Sequence, residues 1–421
     1  MEEIREIIEL LNPWWKTNIV STELAKPYKR KLFEKITELK EYKQIIILSG
    51  LRRVGKSTLL YQTIENLLKK TDPKKILYFS FDKKVEDITK ILNAYQELTL
   101  VDWKKEHIFV FFDEITKLGN WADKLKLVYD AFPNLKFFVS SSGSLALEEE
   151  AIKNLAGRYF VINLKPLSFS EYLEMRGKQE FIKKPALFEK ELKLELEKYS
   201  LRSFPEIISW DDTLLVKDYL RSMIIDKIIK YDLEEKFKNI NRELLLNLLE
   251  IFYNEPGMYI DYDALSQKLR ISKKTLIKHF YYLEFSYLIR KIRNLRLTTL
   301  TSLKKLQRIY SYWWTLAHCY SDNKDKIMEN LVASTLDVKN YWRKGGKEID
   351  FIFLEDKKII PIEVKNKTEV SKDDVKTLIY FLKKFKLKEG QIIYNGKSDE
   401  ISLNKETKIK LIPLWKWMLD R

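Results

Sequence analysis

The sequence contains very little cysteine and histidine. Cys319 is the single cysteine among 421 residues, so an internal disulfide framework is excluded. The three histidines are scattered, and with one thiol they cannot supply the ligands of a zinc finger. Long apolar runs are also absent, because charged residues interrupt each of them, and a membrane-spanning helix is not expected. Since the acidic, amphipathic start is unlike a signal peptide, we expect a cytoplasmic protein without membrane contact.

Positive charge is what the chain has in excess. Lysine and arginine number 77 against 61 acidic residues, which gives a formal net charge of +16. This excess favours nucleic acid as a partner, although lysine-rich compositions are also typical of heat-adapted proteins. Hydrophobic residues make up 45% of the chain, enough for the cores of two or three domains. The location of the charge therefore matters more than its total.

The stretch at residues 50–57 carries the strongest motif. It reads GLRRVGKS, which fits G-x-x-x-x-G-K-[ST] between an apolar strand and a helical pattern. In such a loop, glycines let backbone N–H groups surround a phosphate at a helix N-terminus. Lys56 would reach the β- and γ-phosphates of ATP, and the Ser57 hydroxyl would bind Mg²⁺. The predicted nucleotide contacts are Gly50, Leu51, Arg52, Arg53, Val54, Gly55, Lys56, Ser57, Thr58 and Asp113.

Strands and helices alternate after this loop. The apolar segments lie at 45–49, 75–80, 107–112, 135–141 and 159–164. This alternation predicts an α/β fold whose parallel sheet is covered on both faces. At the end of the third strand, Asp113 would hold Mg²⁺ through water and Glu114 would deprotonate the attacking water. The alternative is an acidic pair that caps the next helix.

Two more residues of this core are candidates for ATP hydrolysis. The fourth strand ends in a serine-rich stretch at residues 140–144, where one serine, for which Ser142 is the candidate, would sense the γ-phosphate and the attacking water. A serine that caps the following helix is the alternative. Arg158, which precedes the fifth strand, would supply charge to the γ-phosphate of a neighbouring subunit. An ordinary surface arginine is the alternative there.

Five segments together resemble an archaeal and bacterial group of AAA+ ATPases. They read GLRRVGKSTLL, ILYFSFD, FFDEI, SSGSLAL and GRYFVINLKPLSFSEYL. The resemblance implies an ATP-hydrolysing P-loop AAA+ core, a helical lid, a winged helix-turn-helix and a C-terminal α/β domain similar to restriction-endonuclease-like nucleases. It also implies a homo-oligomer, for which a ring is one arrangement. The predicted bounds of these four parts are 1–165, 166–240, 241–310 and 311–421.

Residues 255–310 concentrate the positive charge. They hold seven lysines and five arginines against four acidic residues, a net charge of +8. Two short helices, joined by a turn at Ile271-Ser272 and followed by a strand, are typical of a winged helix-turn-helix. Ser272 is the predicted cap of the helix that follows the turn. The alternative is a winged helix that only packs against protein. The predicted DNA contacts are Lys273, Lys274, Lys278, Arg290, Lys291 and Arg293.

The C-terminal third contains a second pattern, D…E-x-K. Asp350 lies on one predicted strand, and Glu363 and Lys365 lie two apart on the next, so these two face the same side. The pattern matches restriction-endonuclease-like nucleases, which implies that Glu329, Asp350 and Glu363 bind Mg²⁺ or Mn²⁺. Lys365 would orient the attacking water. The alternative is a surface hairpin with alternating charge.

The leading hypothesis from the sequence is an ATP-driven enzyme that binds DNA and cuts it at the C-terminal site. The runner-up is an ATP-dependent switch that binds DNA or a protein, with an inactive nuclease fold. A plain transcription regulator ranks third, because it has little need of a hydrolysis-ready acidic pair.

Overall fold

A computed structural model describes residues 2–143, 153–295, 306–355 and 358–421. It divides the chain into two compact units, Met1–Pro166 (unit 1) and Leu167–Arg421 (unit 2). The predicted end of the ATPase core at residue 165 lies one residue from this division. The predicted bounds at 240 and 310 fall inside unit 2, and they stay predictions.

Unit 1 is built on a parallel sheet. Its described helices are α1 (Glu2–Leu11), α2 (Trp14–Thr17), α3 (Leu32–Leu39), α4 (Lys56–Leu68), α5 (Ile88–Thr99) and α6 (Trp121–Ala131), with 3-10 turns at Pro73–Lys75 and Ile115–Lys117. Its strands are β1 (Ile45–Ser49), β2 (Ile76–Ser80), β3 (Ile108–Asp113), β4 (Leu135–Ser141) and β5 (Tyr159–Asn163). They agree with the predicted strands to within one residue.

The strand order in unit 1 is β2-β3-β4-β1-β5, and every neighbouring pair is parallel. Strands β1 and β4 are buried along their whole length, as expected for nearly continuous apolar runs covered on both faces. Because β4 lies between β1 and β3, the ends of these three strands meet at one edge of the sheet. This edge carries the P-loop, the serine-rich stretch and the acidic pair.

Unit 2 begins with helices and continues into a mixed sheet. Its described helices are α7 (Phe169–Met175), α8 (Gln179–Lys183), α9 (Glu189–Leu201), α10 (Thr213–Tyr219), α11 (Leu233–Lys236), α12 (Arg242–Asn254), α13 (Tyr262–Lys268), α14 (Lys273–Phe285), α15 (Trp314–Ala317), α16 (Lys324–Leu336), α17 (Lys372–Phe385) and α18 (Leu414–Leu419). A 3-10 turn lies at Pro205–Ile207, and π-helical segments lie at Leu220–Ile225 and Ile228–Asp232. None of the helices in the described ranges is long and apolar enough to cross a membrane.

The strands of unit 2 are β6 (Met258–Ile260), β7 (Ile289–Asn294), β8 (Gln307–Ser311), β9 (Asn340–Lys344), β10 (Lys347–Glu355), β11 (Lys358–Lys365), β12 (Glu389–Tyr394), β13 (Asp399–Ser402) and β14 (Lys408–Pro413). Within the described ranges they form one sheet in the order β13-β14-β12-β11-β10-β9-β7-β8-β6. The parallel pairing of β7 with β9 joins the segments that the sequence assigned to separate domains.

In its described residues, the segment from α12 to β8 contains three helices and three antiparallel strands. Side chains cap each helix, because Asn241, Asp261 and Ser272 accept backbone N–H groups of the first turns. The predicted cap at Ser272 is confirmed by its bond from the Thr275 amide, 3.0 Å long. Strand β8 pairs with β6 on one side and with β7 on the other. Its residue Arg308 forms an ion pair with Glu329 of α16.

Candidate active site

The P-loop links β1 to α4 in a conformation that depends on glycine. At Gly50, φ is 153°, and an added Cβ would lie 2.2 Å from the Leu164 carbonyl oxygen, so a larger residue does not fit. Gly55 has φ of 97° directly before α4. The helix begins at Lys56, and its free N–H groups face the loop. The strand–loop–helix arrangement that the motif requires is therefore present.

The other residues of the motif differ in their burial and in the side of the loop that they occupy. Lys56 donates to the carbonyl oxygens of Gly50 and Leu51, both at 3.0 Å, so its ammonium group lies inside the loop. Leu51 and Val54 are buried, whereas Arg53 is exposed, with φ of 64°. Arg52 is half-buried on the turn, and Ser57 and Thr58 lie in the first turn of α4.

Arg30 supports the loop from outside the motif, and the sequence analysis missed it. Its guanidinium is buried and donates to the carbonyl oxygens of Val54 (3.3 Å), Lys165 (2.7 Å) and Pro166 (3.2 Å). These bonds tie the P-loop to the chain that follows β5. No local pattern distinguishes this arginine, because its acceptors lie 24 to 136 residues away.

Three hydroxyl groups orient the Asp113 carboxylate at the end of β3. Ser57 Oγ donates to it at 2.6 Å and Tyr78 Oη at 2.9 Å, and the Ser140 hydroxyl donates to its other oxygen. Hydroxyl and carboxylate oxygens are the ligands that Mg²⁺ prefers, so the Ser57–Asp113 pair fits the predicted cation. Burial, followed by the charge of Asp113, raises the pKa of Tyr78, so Tyr78 stays a hydrogen-bond donor. Neither Tyr78 nor its role follows from a sequence motif.

Glu114 faces the same edge through an unusual backbone conformation. Its φ is 52°, and its amide donates to Ser140 Oγ at 3.1 Å. The backbone and hydroxyl of Ser142 both donate to Glu114 Oε2, at 3.2 and 3.0 Å. Glu114 Oε1 lies 4.0 Å from Lys56 Nζ. The structure therefore brings together the predicted base, the predicted phosphate-binding lysine and Ser142, and it places Ser142 against the base.

Arg158 lies apart from this cluster. Its Nε and Nη2 donate to the two carboxylate oxygens of Asp130, at 2.7 and 3.2 Å. The Asp130 partner lies on α6, within the same chain. Action on a neighbouring subunit would require Arg158 to leave this ion pair, and this role stays a prediction.

The predicted DNA contacts divide into exposed and inward-facing residues. Lys273, Lys274, Lys278 and Arg293 are exposed. Lys273 is neutralised by Asp263 at 2.8 Å, and Lys278 lies 5.6 Å from the centre of the Tyr282 ring. Within the described ranges, Lys274 on α14 and Arg293 on β7 are exposed and have no carboxylate within ion-pair distance. Their contact with DNA stays a prediction.

Arg290 is a correction to that prediction, because it faces the core and is only 6% exposed. Its guanidinium donates to Asp337 at 2.9 Å and to the carbonyl oxygens of Ala333 and Tyr312. Lys291 is mostly covered and is neutralised by Glu284 at 2.8 Å. Alternation along a strand places every second side chain inward, and the sequence alone did not show which face was covered.

The D…E-x-K residues of unit 2 do converge. Asp350 accepts a hydrogen bond from the Val364 amide at 2.9 Å, next to Glu363. Lys365 Nζ donates to Glu363 Oε2 at 2.9 Å, which confirms that these two side chains share a face. Burial and then the charge of Asp350 raise the pKa of Glu363 well above its ordinary value. A proton held by Glu363 would remove part of the cost of burying a negative charge there.

Arg308 is the unexpected member of this cluster. Its side chain is 5% exposed, and it forms ion pairs with Glu329, with Glu348 at 3.3 Å and with Asp350 at 3.9 Å. Glu329 also accepts a hydrogen bond from Tyr310 Oη at 2.5 Å. Burial raises the pKa of Glu329, and the Arg308 charge opposes this rise. An internal cation therefore lies among the carboxylates that the sequence assigned to a metal ion.

A three-carboxylate metal site does not fit this arrangement. Within the described ranges, no three carboxylate, imidazole or thiol side chains are grouped so that they could hold one metal ion. Glu329 pairs with Arg308 and accepts a hydrogen bond from Tyr310. Lys365 supplies a second positive charge beside Glu363. Asp350 and Glu363 remain adjacent, but two cations already balance the buried acids.

Three family models match successive parts of the chain. Residues 42–173 match the AAA domain. Residues 195–326 match a domain of unknown function (DUF8612), and residues 324–417 match another (DUF4143). The match to the AAA domain extends from unit 1 into the first residues of unit 2. The two remaining models assign no nuclease activity to unit 2.

Proteins of similar sequence come from an archaeon and a bacterium. The uncharacterized protein MJ1544 of Methanocaldococcus jannaschii is 28% identical over 420 residues, which cover 94% of this chain and 93% of that protein. MJ1637 of the same organism is 31% identical over 67% of this chain and 65% of that protein. An uncharacterized protein of Haemophilus influenzae is 24% identical over 86% of this chain and 92% of that protein.

Among solved structures, the ADP form of the Aeropyrum pernix ORC2 protein aligns with 71% of this chain and 93% of that chain. The sequence identity is 11% and the TM-score is 0.35. Caenorhabditis elegans PCH-2 aligns with a TM-score of 0.25 and 15% identity, over 59% of this chain and 61% of that chain. Scores this low support no conclusion about function.

Proposed function

We propose that the protein binds and hydrolyses Mg·ATP at the strand ends of unit 1, and that nucleotide state controls nucleic-acid binding by unit 2. The observation that carries the ATPase is the pair formed by Ser57 and Asp113, 2.6 Å apart, beside Lys56 and Glu114. A structural acidic pair would need neither a phosphate-binding loop nor a serine-oriented base. The match of residues 42–173 to the AAA domain supports the same conclusion.

The roles of the residues follow from their positions. Lys56 and the N-terminus of α4 would bind the β- and γ-phosphates. Ser57 and Asp113 would hold Mg²⁺, which when bound neutralises charge that develops on the phosphates. Glu114, held by Ser142, would accept the proton of the attacking water. Tyr78 and Ser140 keep the Asp113 carboxylate aimed at the loop.

Lys56→Ala tests this proposal directly. We expect its steady-state ATPase rate to fall by roughly 100-fold or more, because a buried cation that contacts the transferring phosphate is removed. Lys69→Ala is the matched control, since Lys69 is exposed at the other end of the same helix. A Lys56→Ala protein that hydrolyses ATP as fast as the control would refute the ATPase site.

Nucleic acid is the proposed partner of unit 2. The net charge of +8 at residues 255–310 and the exposed Lys274 and Arg293 support it. The three helices and three strands described between α12 and β8 support it as well, because this arrangement is typical of a winged helix. We propose a homo-oligomer as the working form, because a trans-acting Arg158 would need a neighbouring subunit. Binding of labelled DNA with and without ATP, measured by fluorescence anisotropy, tests the partner and its dependence on nucleotide.

The C-terminal site has two candidate interpretations, a metal-dependent nuclease and an inactive nuclease-like fold, and we favour the inactive fold. The observation that favours it is Arg308, whose guanidinium lies among Glu329, Glu348 and Asp350. We therefore expect no cleavage of branched or flapped DNA with Mg²⁺ or Mn²⁺ above the level of a Glu363→Gln/Lys365→Met control. Cleavage by the wild-type protein that disappears in this control would reverse the preference and restore the metal-dependent endonuclease.

A further inference from the structure

The turn between β9 and β10 presents two lysines directly opposite each other. Lys344 and Lys347 are cross-strand partners, and both are exposed. Gly345 and Gly346 between them have φ of 58° and 75°, as a two-residue hairpin turn with positive φ at both positions requires. Like charges in direct opposition destabilise a strand pair. The glycines explain the turn, but folding does not explain the lysines.

A third lysine joins them from helix α17. The Lys347 and Lys384 ammonium groups lie 5.0 and 5.3 Å from the centre of the Tyr380 ring. Lys384 Nζ also donates to Tyr380 Oη at 3.2 Å. The Tyr380 side chain is 40% exposed, so both ammonium groups are held at the surface beside one aromatic ring. The hairpin and the helix therefore build a single basic patch.

Charge neutralisation distinguishes this patch from neighbouring lysines. In the described part of the chain, no carboxylate lies within ion-pair distance of Lys344, Lys347 or Lys384. On the same helix, by contrast, Lys376 pairs with Asp373 at 2.5 Å. Three positive charges thus converge without an internal counter-ion, although acidic residues are abundant elsewhere on the surface.

We propose that Lys344, Lys347 and Lys384, here called the hairpin patch, bind the phosphodiester backbone of a nucleic acid. Lysine is a point charge with three donors and suits phosphate oxygens without reading bases. The surface lies on β9, β10 and α17, apart from helix α14, where the sequence placed the DNA contacts. This inference rests on the proposed nucleic-acid binding by unit 2 and says where that binding occurs.

The test compares four full-length variants with the wild-type protein by fluorescence anisotropy, using labelled duplex and single-stranded oligonucleotides from 50 to 300 mM salt. Lys344→Gln/Lys347→Gln/Lys384→Gln removes the hairpin patch. Lys376→Gln removes a neutralised lysine of the same helix, and Lys273→Gln/Lys274→Gln removes charge from α14. At about 0.1 M salt, the loss of three phosphate contacts should weaken duplex binding by roughly 100-fold and lower the salt slope by about two to three.

The expected result is this loss in the triple variant, a smaller loss in the Lys273→Gln/Lys274→Gln variant, and near wild-type binding by Lys376→Gln, whose lysine is already neutralised by Asp373. A Lys→Arg replacement of the same three residues should retain binding, which separates lost charge from lost folding. If the triple variant binds like the wild-type protein with an unchanged salt slope, the hairpin patch is refuted and nucleic-acid binding stands. If the wild-type protein binds neither oligonucleotide at 50 mM salt, the proposed partner itself fails. Binding to anionic lipid vesicles is measured as well. A triple variant that binds nucleic acid like the wild-type protein but loses binding to these vesicles would also refute the inference.

Discussion

Glu114→Gln should stop steady-state ATP hydrolysis while ATP binding continues. The amide cannot accept the proton of the attacking water, and loss of a general base typically costs roughly 100- to 10,000-fold in rate. The glutamine oxygen can still accept the hydrogen bonds that Ser142 donates to Glu114 at 3.0 and 3.2 Å. The phosphate-binding loop and the Ser57–Asp113 pair are untouched. Phosphate release and binding of a fluorescent ATP analogue, measured on the same preparation, check both halves of this expectation.

Ser142→Ala is the matched variant for this experiment. It removes the hydroxyl that orients Glu114 but keeps the carboxylate, so we expect a smaller loss, on the order of 10-fold. The order of the two effects identifies the base and the residue that positions it. A Glu114→Gln protein with more than about a tenth of the wild-type rate would exclude Glu114 as the base. Equal loss of ATP binding and hydrolysis would indicate a structural role instead.

Arg308→Met should destabilise unit 2 more than any other single change considered for this protein. It leaves Glu329 and Asp350 without the cation that balances them, and removing one partner of a buried ion pair typically costs about 3–5 kcal/mol. The variant also loses the Nε hydrogen bond to the Gly257 carbonyl oxygen, 2.8 Å long. Urea unfolding followed by circular dichroism and tryptophan fluorescence measures the change in free energy of unfolding.

The pH dependence of this loss tests its electrostatic cause. Burial already raises the pKa of Glu329, and removal of Arg308 raises it further. When the pKa of a carboxyl group is higher in the folded than in the unfolded state, the free energy of unfolding falls as pH rises through the folded-state pKa. The difference between variant and wild type should therefore be smallest near pH 5 and largest near pH 8. A constant difference across this range would attribute the loss to packing alone.

Arg343→Met is the control for the Arg308 variant. Arg343 is exposed and lies 3.7 Å from Glu348, one of the carboxylates that Arg308 contacts. Because water screens an exposed pair, its loss should cost less than about 1 kcal/mol. An Arg343 variant as unstable as Arg308→Met would mean that proximity to Glu348, and not burial of the charge, determines the effect.

Local patterns predicted the elements of this protein well. The five strands of unit 1 and the cap at Ser272 were predicted from apolar runs and capping chemistry, and the strand bounds differ by at most one residue. The P-loop could also be predicted, because its chemistry needs consecutive residues of defined type. For the same reason, the shared face of Glu363 and Lys365 followed from their spacing of two.

Contacts between distant residues could not be predicted in this way. Arg290 had the composition of a DNA contact, but β7 turns it toward Asp337, 47 residues away. Arg308 lies in the strand Gln307–Ser311 and Tyr78 in the strand Ile76–Ser80, and nothing in the neighbouring residues indicates a carboxylate partner. Their roles depend on which strands lie side by side. The pairing of β7 with β9, across the predicted boundary at residue 310, is another contact between distant residues that the sequence did not indicate.

The sequence by itself determined the phosphate-binding loop, the acidic pair at residues 113–114, the strands that carry them and the excess of positive charge. These features depend on residue type and short spacing, both of which can be read directly from the sequence. Only the tertiary structure decided that β4 separates β1 from β3, that Ser140 and Ser142 orient the acidic pair, and that Arg308 lies among the C-terminal carboxylates. The physical reason is that strand order and burial are set by packing over the whole unit, and a charged side chain takes its role from the partners that this packing supplies.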